Sequence, residues 1–281
     1  MSQQQVAYPN SRNAPRLPEL PADLLVSIFE TEKRLAYSEP VKKIAAFDLD
    51  NTLLVGDIGE AVFAALKLQG HLPGFSWEKY RRLLYSNKAE AYCSVVSAMS
   101  GLSERTVHRV TLGVLSRSDG YVELENSFIP VPYAHPVMIR LISYLRLIGY
   151  QIHVISASNE ISARLAAWHY FEISPSNVWG IRQRHRRGTL TDELLEPVPV
   201  GDGKVWAYRK FIGTTDPIVT AGDSPLDVPM LELTDPRGLC LWVGEDKVSY
   251  EIMRRKMDGA GRLHFLQRPT GSEFDEESSD D

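Results

Sequence analysis

The sequence predicts an α/β protein built on an open, mainly parallel sheet, with a helical segment inserted after the first sheet strand. Three observations carry that prediction. The apolar run Ile44-Ala45-Ala46-Phe47 leads directly into Asp48-Leu49-Asp50-Asn51-Thr52-Leu53. That is the pattern of a strand buried on both faces that delivers polar groups at its C-terminal end. From residue 137 onward helical and strand patterns alternate, which implies parallel strands joined by right-handed crossovers. Between these two regions, residues 57–130 are patterned as helix, with no strand signal interrupting them.

The elements follow in order. Residues 1–20 are polar and proline-rich, lack the apolar core of a signal peptide, and read as disordered. Residues 21–37 place Leu24, Leu25, Ile28, Phe29 and Leu35 at helical spacing, with Pro21 suited to a first turn. A strand over 42–48 ends in the aspartate pair. A helix from Asp57 closes at Gly70, residues 75–101 form one or two helices, and Ser103 caps the next. Pro136 opens a helix whose stripe is Val137, Met138, Leu141, Ile142, Leu145 and Ile148, ended by Gly149. The strand 151–155 runs into Ser156-Ala157-Ser158-Asn159, and a helix over 161–171 follows. Residues 178–198 read as a hairpin turning near Arg187-Gly188. A helix beginning near Lys204 ends at Gly213. The strand 217–221 leads into Gly222-Asp223-Ser224-Pro225-Leu226-Asp227, and a last strand spans Leu239 to Val243. The division expected is an N-terminal extension with a helix (1–38), an α/β core (39–56 and 131–268), the helical insert (57–130) and an acidic, disordered tail (269–281).

Composition bounds the function. The chain has 281 residues, 43% of them hydrophobic and 24% charged, an ordinary globular balance. A net charge of −5 and a pI near 5.9 exclude a general nucleic-acid or membrane-surface binder. No run approaches the length of a membrane span. Cys93 and Cys240 form neither a disulfide framework nor a zinc motif, which fits a reducing cytoplasm. The expectation is a cytoplasmic monomer or homodimer with no nucleic-acid or membrane partner.

Residues two apart on a strand face the same side, so Asp48 and Asp50 reach one reacting group. One can be ionised and attack phosphorus while the other holds a proton for the leaving oxygen. By itself the pair is equally well read as a polar turn after a strand. Three further signals follow it in order: the apolar strand ending in Ser156, Lys204 after the loop carrying Gly201 and Gly203, and Gly222 to Asp227.

In this combination the chain resembles the haloacid dehalogenase superfamily, in its phosphatase branch and nearest to the phosphoserine phosphatase-like subgroup. The resemblance covers roughly residues 40–245. It implies a Rossmann-like core with a helical cap inserted after the first strand, and Mg²⁺ as cofactor. It implies that Asp48 is the nucleophile and a metal ligand. Asp50 is then the general acid and base, with its backbone carbonyl on the metal. Ser156 donates to the phosphoryl group from just before a helix N-terminus, and Lys204 neutralises phosphate and Asp48. Asp223 is a direct metal ligand, and Asp227 orders the metal shell or Lys204. An all-oxygen shell of this kind suits Mg²⁺.

The resemblance leaves the substrate more open. In phosphoserine phosphatases a glutamate nine residues past the nucleophile binds the substrate amine, and Asp57 stands there with a shorter arm. Glu60 is its candidate partner; both are equally explained as carboxylates at a helix start. Phosphoserine phosphatases carry glycines after the serine, whereas this chain has Ala157 next to Ser156, which is closer to phosphocholine-type members. Trp77, Tyr80, Tyr85 and Tyr92 are candidates for an aromatic box around a quaternary amine, or for a helical core. The basic run Arg182, Arg184, His185, Arg186 and Arg187 attracts a polyphosphorylated substrate, or is a solvated hairpin face with the acidic tail as its partner. The reading is Mg²⁺-dependent hydrolysis of a small phosphomonoester, a phosphorylated amine or amino acid, through an aspartyl-phosphate. Phosphotransfer to another acceptor, as in a mutase, and a non-catalytic binding protein on the same scaffold are the alternatives. Dehalogenation is disfavoured, since it has no use for Asp50 or Asp223.

Overall fold

A computed structural model describes residues 19–245, 247–256 and 263–269. The expected disordered start and acidic tail fall almost wholly on residues outside these. Helix α1 (Ala22–Ala36) lays Leu24, Ile28 and Leu35 into the core, and strand β1 (Ile44–Phe47) follows. The chain then leaves the sheet through a two-residue strand, β2 (Leu54–Val55). Four helices follow: α2 (Ile58–Leu68), α3 (Trp77–Ser86), α4 (Lys88–Ser97) and α5 (Glu104–Leu115). A hairpin of β3 (Tyr121–Leu124) and β4 (Ser127–Pro130) and the short strand β5 (Tyr133–Ala134) complete the excursion. Because β5 pairs antiparallel with β2, the inserted lobe leaves and re-enters the core through one clip.

The α/β alternation then resumes. It comprises α6 (Pro136–Leu147), β6 (Gln151–Asn159), α7 (Glu160–Phe171), β7 (Val178–Arg186) and β8 (Thr189–Leu195). It continues with α8 (Asp202–Phe211), β9 (Val219–Gly222), α9 (Val228–Glu232), β10 (Leu239–Gly244), α10 (Lys247–Lys256) and β11 (Leu263–Gln267). The sheet order is β11-β10-β9-β1-β6-β7-β8, parallel except for the β7–β8 hairpin. Strand β1 is central, and alternate residues serve opposite faces. Ala45 and Phe47 join the large core, which also holds Leu24, Leu141 and Ala163. Ile44 and Ala46 pack with Ala207, Tyr208 and Met230 on the other side. Burial on both faces is why β1 reads as an unbroken apolar run.

Side-chain caps set the inserted lobe's helix starts. Asp57, Ser76, Asn87 and Ser103 each accept a hydrogen bond from a first-turn amide. Asn87 both ends α3 and caps α4, which resolves residues 75–101 into two helices. The expectation of an all-helical insert is corrected by the β3–β4 hairpin. Its alternation is present, with Val122, Leu124 and Ile129 buried and Glu123 and Phe128 exposed. Its turn is Glu125-Asn126, both with positive φ, rather than the Asn-Gly that marks such turns in a sequence. Among the described residues no helix is long and apolar enough to cross a membrane.

His153 on β6 is 8% exposed, and neither ring nitrogen finds a partner among the described residues. Burial, with Lys42 adding, pushes its pKa down to about 4. A neutral ring is favoured in the fold, so its contribution is present above about pH 6.5 and is lost as pH falls toward 4. His153→Leu therefore flattens the acid side of the stability profile by about 2 kcal/mol, after allowing for partial hydration of the ring. Denaturant melts of both proteins at pH 7 and pH 4.5 measure it.

Candidate active site

The C-terminal ends of β1, β6 and β9 meet at the middle of the sheet, where open α/β folds place their ligands. The chain leaves β1 with the Asp48 amide bonded to Ala221 O at 3.0 Å. It then turns at Asn51, whose φ of 59° is left-handed. Lys204, 2% exposed, enters from α8 and donates to Asp48 Oδ1 at 2.5 Å and also to Asp227 Oδ1. The other oxygen of Asp227 accepts from the Asp223 amide at 3.1 Å and from the amide and hydroxyl of Ser224, both at 2.9 Å. Only glycine fits at 222, because a Cβ there would lie 2.4 Å from Asp227 Cβ.

Asp50 is held on three sides. Its Oδ1 accepts from the Ile58 amide at 2.8 Å, and its Oδ2 accepts from Ser158 Oγ at 2.7 Å and Ser156 Oγ at 3.1 Å. Helix α2 starts hard against this cluster: a Cβ at Gly59 would fall 2.6 Å from Ser158 Oγ.

Electrostatics separates Asp227 from the other three carboxyls. Burial pushes Asp48 up to about 7; the Lys204 ammonium opposes it, and Asp227 and Asp50 reinforce it. Burial, then the charge of Asp57, raises Asp50 to about 7 against its hydrogen bonds from Ser158 and Ile58. Burial raises Asp223 well above its ordinary value, with Asp227 and Asp48 adding. Burial acts on Asp227 in the same sense, but Lys204 and Ser224 overcome it and hold that carboxyl low. Lys204 in turn stays protonated: burial disfavours the ammonium, and Asp227 and Asp48 more than restore it.

Asp48, Asp223 and Asp227 each offer an oxygen within 4.8 Å of the others. The donors are all hard oxygens, with no imidazole or thiolate among them. That chemistry fits a divalent cation of the magnesium, calcium or manganese kind.

The cleft above these groups is lined by Asn51, Asp57, Lys88, Tyr92, Ala157 and Ser158 as well as the aspartates and Lys204. It continues under the inserted lobe into a second cavity that shares Asn51, Asp57, Lys88 and Tyr92 and adds Glu60, Arg81, Tyr85 and Ile129. Of the residues singled out in the sequence, Asp48, Asp50, Lys204, Asp223 and Asp227 come together, and Asp57 and Ala157 line the cleft. Ser156 is fully buried and turned toward Asp50 rather than into the cleft. Glu60 lines only the outer cavity and accepts from Tyr80 OH at 3.1 Å. Tyr80 and Trp77 pack with Phe63 in the lobe's own core. Tyr85 is 87% exposed, and Tyr92 alone of the four aromatic residues lines the inner cleft.

The basic run lies on the β7–β8 hairpin and lines no part of this cleft. Arg184 pairs with Glu193 at 2.7 Å, His185 with Glu104 at 3.2 Å, and Arg182 lies over the Phe211 ring.

Sequence reasoning passed over Ser158 and Lys88. Both left a signal. Ser158 stands two residues from Ser156, on the same strand. Lys88 is a cation in the first turn of a helix, against the macrodipole; such a placement asks for a reason.

Residues 45–232 match the haloacid dehalogenase-like hydrolase family, and the chain belongs to it. It is by that membership a hydrolase. No curated protein matches the chain. Among solved structures it resembles a conserved protein of unknown function from Anaerococcus prevotii. The TM-score is 0.63 at 17% identity, over 89% of this chain and 93% of the other. A phosphoserine phosphatase carrying an analogue of its phospho-aspartyl intermediate matches with TM-score 0.50 at 14% identity, over 85% and 99%. A cytosolic 5′-nucleotidase IIIB bound to cytidine matches with TM-score 0.55 at 14% identity, over 89% and 87%. At these identities the likeness is one of fold, a Rossmann-like core with an inserted lobe.

Proposed function

We propose that the protein is a Mg²⁺-dependent phosphomonoesterase that works through an aspartyl-phosphate, with a small phosphorylated amino acid as substrate. The observation that carries the reaction is the pairing of Asp48, bonded to a buried ammonium, with Asp50, whose carboxyl is raised to about 7. An Asp48 oxygen attacks phosphorus and the ester P–O bond breaks. Asp50 gives its proton to the departing oxygen. Asp50, now a carboxylate, then takes a proton from water as that water attacks the phosphorus, which frees inorganic phosphate and restores Asp48. A pKa near the working pH serves both halves of this cycle. Lys204 offsets the charge that gathers on Asp48 and the phosphoryl oxygens, and Asp227 holds Lys204 in place. Asp48 and Asp223, with the Asp50 carbonyl that the family resemblance implies, would hold Mg²⁺, which would supply the remaining neutralisation. Residues 57–130 act as a cap that excludes water from the cleft.

Lys88 and Asp57 support the substrate class. Both line the cleft, and neither side chain has an ion-pair partner among the described residues. Burial, with Glu60 adding, raises Asp57 to about 7, and a substrate ammonium beside it would return it to the ionised form. Lys88 offers the complementary charge for a carboxylate. Its ammonium already stands 5.7 Å from the Tyr92 ring centroid, the place a quaternary amine would occupy. That favours a phosphoserine-like zwitterion over a phosphocholine-like cation.

The test is phosphate release from phosphoserine, phosphocholine, phosphoethanolamine, sugar phosphates and nucleoside monophosphates, with Mg²⁺ and with chelator. Metal-dependent turnover led by an amino-acid phosphate is the expected result. Asp57→Asn should raise its KM about tenfold or more and leave sugar phosphates nearly unchanged. A panel led by sugar or nucleoside phosphates, indifferent to Asp57→Asn, would overturn the substrate class.

A further inference from the structure

Arg268 belongs to none of the motifs that define the site. It stands one residue beyond β11, the edge strand, on the far side of β10 and β9 from the nucleophile strand. Its amide is bonded to Gly244 O at 2.7 Å, so the backbone is fixed where the strand ends. Its side chain is largely buried and runs back over the strand ends into the site. One guanidinium nitrogen donates to the backbone carbonyl of Asn51 at 3.2 Å and lies 3.7 Å from Asp223 Oδ2. The other donates to Glu245 Oε1 at 2.7 Å.

Each contact falls on a part of the site that must not move. Asn51 follows Asp50, and its left-handed turn aims the Asp50–Asn51 peptide. The Asn51 amide is tied to Gly56 O at 3.0 Å. Arg268 is the partner of its carbonyl among the described residues. Asp223 is approached by Thr52 Oγ1 at 3.4 Å on one oxygen and by Arg268 on the other. The same segment is bonded to the root of the inserted lobe, where His135 Nε2 lies 3.2 Å from Gln267 O. A planar fork with fixed donor directions suits this bridging task, and an ammonium on a flexible stem does not.

We propose that Arg268 is a positioning residue for the metal-holding half of the site, fixing the Asn51–Thr52 peptide, which adjoins the Asp50–Asn51 peptide at Asn51, and the Asp223 carboxylate relative to each other. The proposal rests on the metal-dependent reading above, but its test does not require turnover. Groups that orient ligands from behind typically change metal affinity by about 10–100-fold when removed.

Arg268→Lys keeps the charge and loses the fork. Mn²⁺ binding to the full chain is followed by electron paramagnetic resonance, with thermal melts of the metal-free proteins alongside. The expected result is Mn²⁺ affinity lower by about tenfold or more. In turnover, half-saturation by Mg²⁺ shifts by the same factor, while KM at saturating Mg²⁺ stays within about twofold. Arg268→Leu, lacking both charge and fork, binds no better than the lysine variant. Wild-type Mn²⁺ affinity in Arg268→Lys overturns the proposal, whether or not its melting temperature falls. Should the wild-type protein hydrolyse no ester, the Mn²⁺ comparison still decides the role of Arg268, and the two failures remain separate.

Discussion

Asp48→Asn abolishes phosphate release, by about 10⁴-fold or more. A carboxamide oxygen is a poor nucleophile toward phosphorus and cannot carry the phosphoryl group. The substitution is nearly isosteric, and the carboxamide oxygen would still accept the bond that Lys204 donates to Asp48 Oδ1, so the fold is kept. Malachite-green detection of phosphate reads the loss, and an unchanged circular dichroism melt shows that it is chemical. Asp50→Asn supplies the contrast. It removes the proton donor, so its effect is large for alkyl phosphates and smaller for p-nitrophenyl phosphate, whose leaving oxygen needs no proton. The same residue sets a pH limit. Its acid form is present below about 7 and is lost as pH rises through that value, so ester cleavage in the wild-type protein declines on the alkaline side. Equal losses for both leaving groups in Asp50→Asn would remove Asp50 from the acid role.

What the sequence disclosed depended on how local the physics was. Strand β1 was legible because burial on both faces leaves an apolar run that no helix period explains. Asp48 and Asp50 were legible because they share one strand end, and Asp223 and Asp227 because Gly222 and Pro225 mark their loop. The details of contact were not. Both Ser156 and Ser158 donate to Asp50, but of the two only Ser158, with Ala157, lines the cleft; sequence spacing alone gives no choice between the two serines. The β3–β4 hairpin was hidden by the residues of its turn. Trp77 and Tyr80 had a helical spacing that fits core and binding box alike, and packing against Phe63 places them in the core. Arg268 reaches Asn51 across a separation of 217 residues, by way of an edge strand whose position depends on the order of every strand between. No pattern near Arg268 records that.

Lys204→Met carries the second large effect, and it falls on stability as well as rate. The wild-type ammonium is buried between Asp48 and Asp227 and bonded to both. A methionine of similar length fills the space and leaves two buried carboxyls facing each other without a cation. Breaking a buried ionic cluster in this way costs roughly 3–5 kcal/mol. For a chain of this size that is a fall in melting temperature on the order of 10 °C. The pH dependence carries the diagnostic sign. In the wild-type protein Lys204 is held above its ordinary value and Asp227 below. Their mutual stabilisation is thus present from above the unfolded aspartate value to below the unfolded lysine value, and is lost only toward either extreme. In the methionine variant both carboxyls are raised, so the protein gains stability as pH falls from about 8 toward 5, where they take up protons. Divalent cation should recover part of the loss, since in the proposed reading it would bind beside Asp48 and Asp223. Phosphate release should stay low, about 10²- to 10³-fold down, because the Lys204 ammonium no longer offsets the charge that gathers on the phosphoryl oxygens. Thermal melts at pH 8 and pH 5.5, with and without Mg²⁺, resolve these contributions. A variant as stable as the wild type at pH 8 would mean that Asp48 and Asp227 are already neutral there, and would remove Lys204 from the charge-neutralising role.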